Sequence, residues 1–198
     1  MNTWKIAGHT LEYIDDIHTY IVDGVIVPSI TQIMKIKFGK KYEGINEEVL
    51  ERASIKGTAV HESIENYCKT GEIENIQEVK DFMFLEKQYK FEVLQTEVPI
   101  ILFKGNEPVS AGRLDLVLKI GEKIGGGDIK RTSTLDKEYL AYQLNLYRIG
   151  YKQCYGVEWE FLKGIHLKEG KRKFVDIKIN EDMAWELVND YLEGEYNE

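Results

Sequence analysis

The sequence predicts an α/β or α+β fold built on a mixed sheet, and three observations carry that reading. Helical patterns fill residues 46–89. The period then changes to strand-like runs between residues 92 and 130, punctuated by Gly105-Asn106 and Gly121. A helical stretch and a further strand pair follow. Helices, a strand meander, a helix and more strands, in that order, pack as helices against a sheet.

Near the N-terminus, residues 18–22 and 25–27 read as two short strands around the turn signal Asp23-Gly24. Ser29 follows Pro28 and is placed to cap a short helix over residues 30–36. Asn46 opens a helical stretch over 47–56, and a second runs over 58–69, ending at Gly71. A third covers 76–89. Strands are expected over 92–103, 109–120 and 124–130, the last carrying Gly125-Gly126-Gly127 where β-branched residues normally stand. Leu140, Leu144 and Tyr147 mark a helix over 136–152. Strands over 157–167 and 174–179 flank Glu169-Gly170, and Asn180 caps a last helix over 181–192.

With 198 residues, the chain suits one domain with a sizeable core. It has no run of about 18 apolar residues to span a membrane, and its first residues lack the apolar centre of a signal peptide. Cys68 and Cys154 are far apart and not in a metal-finger spacing, so free thiols in a cytoplasmic protein are expected. The net charge of −8 argues against binding nucleic acid by bulk electrostatics. A divalent cation, however, neutralises carboxylates where a phosphate must approach.

Asp115 and Asp128 carry the chemistry. Asp115 sits in the apolar run Leu114-Asp115-Leu116-Val117, where a carboxylate is costly unless paired. Asp128 lies on the next predicted strand, so the two can meet. Their repulsion is resolved by a cation such as Mg²⁺, which takes one or two carboxylates plus water and phosphate oxygens. Deleting one carboxylate would relieve that repulsion. Lys130 shares a strand face with Asp128 and can place positive charge beside the metal. His61 falls on one helical stripe with Ile64 and Cys68, pointing inward, and can complete a metal shell. Gln143 and Tyr147 are one helical turn apart and could steady the lysine, the water or a base. Glu65 shares the His61 face as a candidate orienting partner. Arg113 is a ready partner for Asp115 and a candidate DNA contact. Arg131, directly after Lys130, is a second DNA contact candidate.

His61, Gly112-x-x-Asp115, Asp128-x-Lys130 and Gln143-x-x-x-Tyr147 stand in the order and spacing of the PD-(D/E)XK nuclease superfamily. The chain resembles its RecB-type, CRISPR-adaptation and phage lambda-type exonuclease branches over about residues 51–156. His18-x-Tyr20-x-x-x-Gly24 and residues 28–31 also resemble phage-encoded members. The resemblance implies a restriction-endonuclease-like core, a central mixed sheet flanked by helices. Residues 1–45 would form an N-terminal hairpin and short helix, 46–156 the catalytic core, and 157–198 the C-terminal strands and helix.

It further implies His61, Asp115, Asp128 and the Ile129 carbonyl as metal ligands, Lys130 as the catalytic lysine, and Glu97 as an additional acidic ligand. Leu114 replaces the proline that names the superfamily. The iron–sulfur cysteine set of some relatives is missing, and such clusters usually need four cysteines, so none is expected. The activity implied is a Mg²⁺-dependent DNA nuclease, with Mn²⁺ able to substitute. A phage-type exonuclease for recombination or end processing is expected, in the cytoplasm of a bacterial or phage-infected cell. A single-strand annealing or recombination protein is a candidate partner, and an oligomer is compatible. The rivals are an endonuclease or nickase with the same centre, and a catalytically silent DNA- or protein-binding module of the same fold.

Overall fold

A computed structural model of the chain describes residues 1–42, 44 and 46–195. The α/β expectation holds. The main sheet has five strands in the order β5-β6-β7-β8-β9. Strands β5 (Phe91–Lys104), β6 (Glu107–Ile120) and β7 (Lys123–Lys130) form an antiparallel meander. Helix α4 (Lys137–Tyr155) then carries the chain over to β8 (Phe161–Lys168), which lies parallel to β7. Strand β9 (Lys171–Ile177) closes the sheet antiparallel to β8. The mixed sheet therefore has β7, the strand of Asp128 and Lys130, at its centre.

Helices cover both faces. On one, α1 (Ile30–Phe38), α4 and α5 (Glu181–Glu195) bury Ile33, Leu144, Leu187 and their neighbours against Ile100 and Leu114. On the other, α2 (Glu47–Thr70) and α3 (Gln77–Tyr89) bury Ile64 and Phe82 against Leu116, Leu118 and Ile129. Burial of such apolar area is the main force holding helices to a sheet.

The predicted caps are present. The Ser29 side chain accepts from the Gln32 amide while Gln32 reaches back to the Ser29 amide, a capping box. Asn46 accepts from the Glu48 amide, and Asn180 from the Met183 amide. Gly71 and Gly156 end α2 and α4 in the left-handed region, with φ of 76° and 69°.

The structure corrects several boundaries, among them the strand starts expected at 157 and 174, which fall at Phe161 and Lys171. The stretches 47–56 and 58–69 are one helix, because Gly57 costs only about 1 kcal/mol in a helix interior and no proline or cap reinforces a break. Helix α1 runs two residues past 36, since Phe38 is buried in the core. Helix α4 continues to Tyr155, until Gly156 allows the turn. Ahead of β3 (Thr19–Val22) and β4 (Val25–Val27) come β1 (Asn2–Ile6) and β2 (His9–Ile14), which the sequence reading missed. These four form an antiparallel meander. The β1–β2 turn is Ala7-Gly8, both at positive φ (51° and 87°), the geometry a two-residue hairpin needs. Leu11 and Tyr13 pack this small sheet onto Ile101, Phe103 and Ala111 of the main one.

Among the described residues no helix is long and apolar enough to cross a membrane.

Candidate metal centre

Strands β6 and β7 pair from Ile120–Lys123 down to Leu116–Gly127 and no further. Where the ladder ends, the Asp115 carboxylate replaces it, accepting the Ile129 amide at 2.7 Å. That bond fixes Asp115 at the mouth of a fork between two strands. Across the β5–β6 pair, Thr96 faces Leu116 and Val98 faces Leu114, so Glu97 stands opposite Asp115. Glu97 adopts φ of +51°, a left-handed conformation uncommon for a residue with a side chain. Such strain collects at functional sites.

Helix α2 supplies His61. Its Nε2 lies 3.0 Å from the Ile129 carbonyl oxygen, which can only accept, so Nε2 bears the proton. The other ring nitrogen, Nδ1, faces Asp115 Oδ2, 3.6 Å away. Atoms of His61, Glu97 and Asp115 all lie within 4.8 Å of one another, close enough to share an ion. The Ile129 carbonyl, expected as a ligand, is engaged in orienting the histidine. An orienting partner of this kind is what metal-binding histidines use.

Asp128 and Lys130 form an ion pair at 2.6 Å, with Asp128 buried to 1% exposure. Asp128 lies outside the three-residue group. Oδ2 meets the Lys130 ammonium, while Oδ1 is buried without a hydrogen bond, leaving acceptor capacity free. Desolvation pushes its carboxyl up, aided by Asp115 and opposed by Lys130. For Lys130, desolvation pulls down, but the Asp128 and Asp115 charges outweigh it and hold the ammonium above its ordinary value. The donors assembled here are carboxylate oxygens and an imidazole, without thiols. Their mutual repulsion and unfilled acceptors fit a hard divalent cation.

The centre opens into a cleft of about 640 Å³, lined by His61, Glu97, Gly112, Arg113 and Asp115 on the main body and by Tyr13 and Tyr20 of the small sheet. Tyr13 and Tyr20 were not anticipated as site residues. Only the pattern His18-x-Tyr20 hinted that this segment mattered.

Other expected residues are placed differently. Arg113 pairs with Glu97 at 2.5 Å rather than with Asp115. Glu65 is tied to Lys69, one turn along its own helix, and not to His61. Arg131 is mostly buried and bonded to Glu78 at 2.7 Å, so a structural ion pair takes the place of the expected DNA contact. Gln143 and Tyr147 are 5% exposed each. Tyr147 backs the cleft, and a Cβ at Gly112 would come within 2.9 Å of its ring. Burial pushes its hydroxyl well up, while the Gln143 hydrogen bond pulls the other way. The pair forms a wall rather than a base-stacking surface. Burial also pushes Cys68 up to about 12 and Cys154 up to about 11, as expected of inert thiols.

Glu97 is pushed up from 4.5 to about 7, by burial first and the Asp115 charge second, against Arg113 and His61. An acid whose folded pKa exceeds its unfolded value favours the fold most below the unfolded value. It loses that contribution as pH rises through the folded one. In EDTA, stability should therefore fall between about pH 4.5 and about pH 7 from this group. Glu97→Gln should flatten the dependence by up to roughly 3 kcal/mol. The lost Arg113 pair shifts the whole curve without adding slope. Urea unfolding across this range measures it, and equal slopes in both proteins would contradict it.

No protein-family model and no curated protein matches the chain. Among solved structures, one described as "Crystal structure of SSO0001" is similar, at 15% identity and a TM-score of 0.49, covering 84% of this chain and 75% of that one. At that distance neither site nor function follows from the likeness.

Proposed function

We propose that the chain is a Mg²⁺-dependent phosphodiesterase acting on DNA, working as an exonuclease. The observation that carries this reading is the convergence of His61, Glu97 and Asp115 at one end of a cleft, with the buried Asp128–Lys130 pair beside them. His61, Glu97 and Asp115 would hold the cation, with Asp128 adding charge from behind. When bound, it would stabilise charge on a phosphoryl oxygen and acidify a water.

The chain's own residues do the rest. Asp115 is locked by the Ile129 amide and His61 by the Ile129 carbonyl, so the ligand set needs little reorganisation. Lys130 stays protonated. It acts as a fixed positive charge and hydrogen-bond donor to the developing phosphorane rather than as a base. The small sheet walls one side of the cleft with Tyr13 and Tyr20. The end-directed part of the proposal rests on the resemblance to exonucleases.

Digestion of end-labelled linear and covalently closed circular DNA with Mg²⁺, Mn²⁺ or EDTA tests the reading. Linear DNA should shorten with either metal and survive in EDTA, while circles persist. His61→Ala should bind Mn²⁺ roughly 10–100-fold more weakly. If no DNA is degraded in either metal, the nuclease reading falls. If circles are cut as fast as linear molecules, an endonuclease with the same centre replaces the exonuclease.

A further inference from the structure

Among the described residues lining the cleft, Arg113 carries the single permanent positive charge, whereas Asp15, Glu62, Glu65, Glu97 and Asp115 all bring carboxylates. No other guanidinium or ammonium lines the walls, since the Lys130 ammonium lies beyond them and is paired with Asp128. Yet Arg113 is occupied, with its Nε 2.5 Å from Glu97 Oε2. Glu97 is also one of the three groups placed to share a cation. A guanidinium and a divalent cation thus compete for one carboxylate.

The small sheet gives Arg113 a second contact, made together with the Glu97 pair and able to hold the side chain without it. Its guanidinium lies 5.5 Å from the centre of the Tyr13 ring, a cation–π distance. That ring is itself fixed. It stacks on Tyr20 at 4.6 Å, and its hydroxyl is 2.7 Å from His18 Nδ1. Neither support involves Glu97, so the shelf persists whichever partner Glu97 takes.

We infer that Arg113 is a phosphate-positioning residue, stored on Glu97 in the cation-free protein and released into the cleft over Tyr13 when a cation takes Glu97. The inference rests on the metal-dependent phosphodiesterase reading above. The arrangement links substrate capture to metal loading. Before loading, the site's positive charge is spent internally. After loading, a planar fork suited to two phosphate oxygens faces the entering strand. The small N-terminal sheet thereby becomes part of the site, as the surface that keeps the freed side chain in place.

Arg113→Gln and Arg113→Lys test this in two binding measurements on the intact chain. The first is calorimetric titration with Mn²⁺ alone. Arg113→Gln should bind Mn²⁺ about tenfold more tightly, the effect of a unit charge roughly 6 Å from a divalent ion even at the dielectric constant of water. Arg113→Lys should stay near wild type. The second is binding of a fluorescent single-stranded oligonucleotide with Ca²⁺ in place of Mg²⁺. Here Arg113→Gln should weaken binding about tenfold, and Arg113→Lys should recover part of the loss, since an ammonium keeps the charge but not the fork.

A purely structural Arg113 would move both affinities in the same direction, or neither. Unchanged or weaker Mn²⁺ binding by a folded Arg113→Gln overturns the inference and leaves the nuclease reading standing. Should that variant fail to fold, equal oligonucleotide affinity in Arg113→Lys and wild type overturns it instead. Wild-type protein that takes up Mn²⁺ but binds no oligonucleotide defeats the nuclease reading, while the Mn²⁺ arm still decides whether Arg113 is stored on Glu97.

Discussion

Asp128→Ala and Lys130→Met are each expected to reduce phosphodiester hydrolysis by at least about 10²–10³-fold, the usual cost of removing a preorganised electrostatic group. They should also destabilise the protein. Asp128 is 1% exposed and its carboxylate is matched by the Lys130 ammonium. Removing one member of a buried pair strands the other and costs about 3–5 kcal/mol. The Lys130 side chain retains 22% of its exposure, so the loss for Asp128→Ala should sit at the low end. This reverses what the sequence suggested, that deleting a carboxylate would relieve repulsion. The double variant Asp128→Leu/Lys130→Met should recover most of the stability and none of the activity, because an apolar pair carries no unmet charge. Urea unfolding and single-turnover cleavage separate the two effects. Full activity in Lys130→Met would remove this lysine from the reaction.

Gly126→Ala is expected to be the most destabilising methyl addition in the chain. A Cβ at residue 126 would lie 2.1 Å from Cζ3 of Trp159. Trp159 is fully buried, so the ring has nowhere to move. Overpacking of a dense core costs typically about 1–3 kcal/mol and occasionally more. The upper part of that range translates into a fall in Tm of roughly 6–12 °C for a chain this size. Reducing the indole with Trp159→Leu should restore part of the loss, since residues in contact do not behave additively. A Gly126→Ala protein melting with the wild type would show that Trp159 is less constrained than its packing implies. Gly125 and Gly127 are bound by the same logic: an added Cβ would run into the Phe161 carbonyl oxygen at the first and come within 2.7 Å of Leu118 at the second.

The sequence by itself determined the order and type of most elements, because those rest on local signals. Ser29, Asn46 and Asn180 announce helix starts through short side-chain bonds, and Gly71 announces a helix end through its φ. It also marked His61, Asp115, Asp128 and Lys130 as a set through the family resemblance that their order and spacing carry, with strand alternation putting Asp128 and Lys130 on one face and a helical stripe turning His61 inward. Glu97 was included only as an additional acidic position.

Tertiary structure decided the partners. No spacing rule says that Arg113 reaches across a strand pair to Glu97 instead of Asp115, that Ile129 serves both Asp115 and His61, or that Arg131 is taken by Glu78. The triple glycine could not be understood locally either, because Gly125 and Gly126 are required by Phe161 and Trp159, more than thirty residues away, and Gly127 by Leu118 on the neighbouring strand. The small N-terminal sheet entered the site for the same reason. Its strands are local, but their docking on Ile101, Phe103 and Ala111 is what brings Tyr13 beneath Arg113. Side-chain pairing between distant segments depends on how whole layers stack, and that information is not held in any short window of residues.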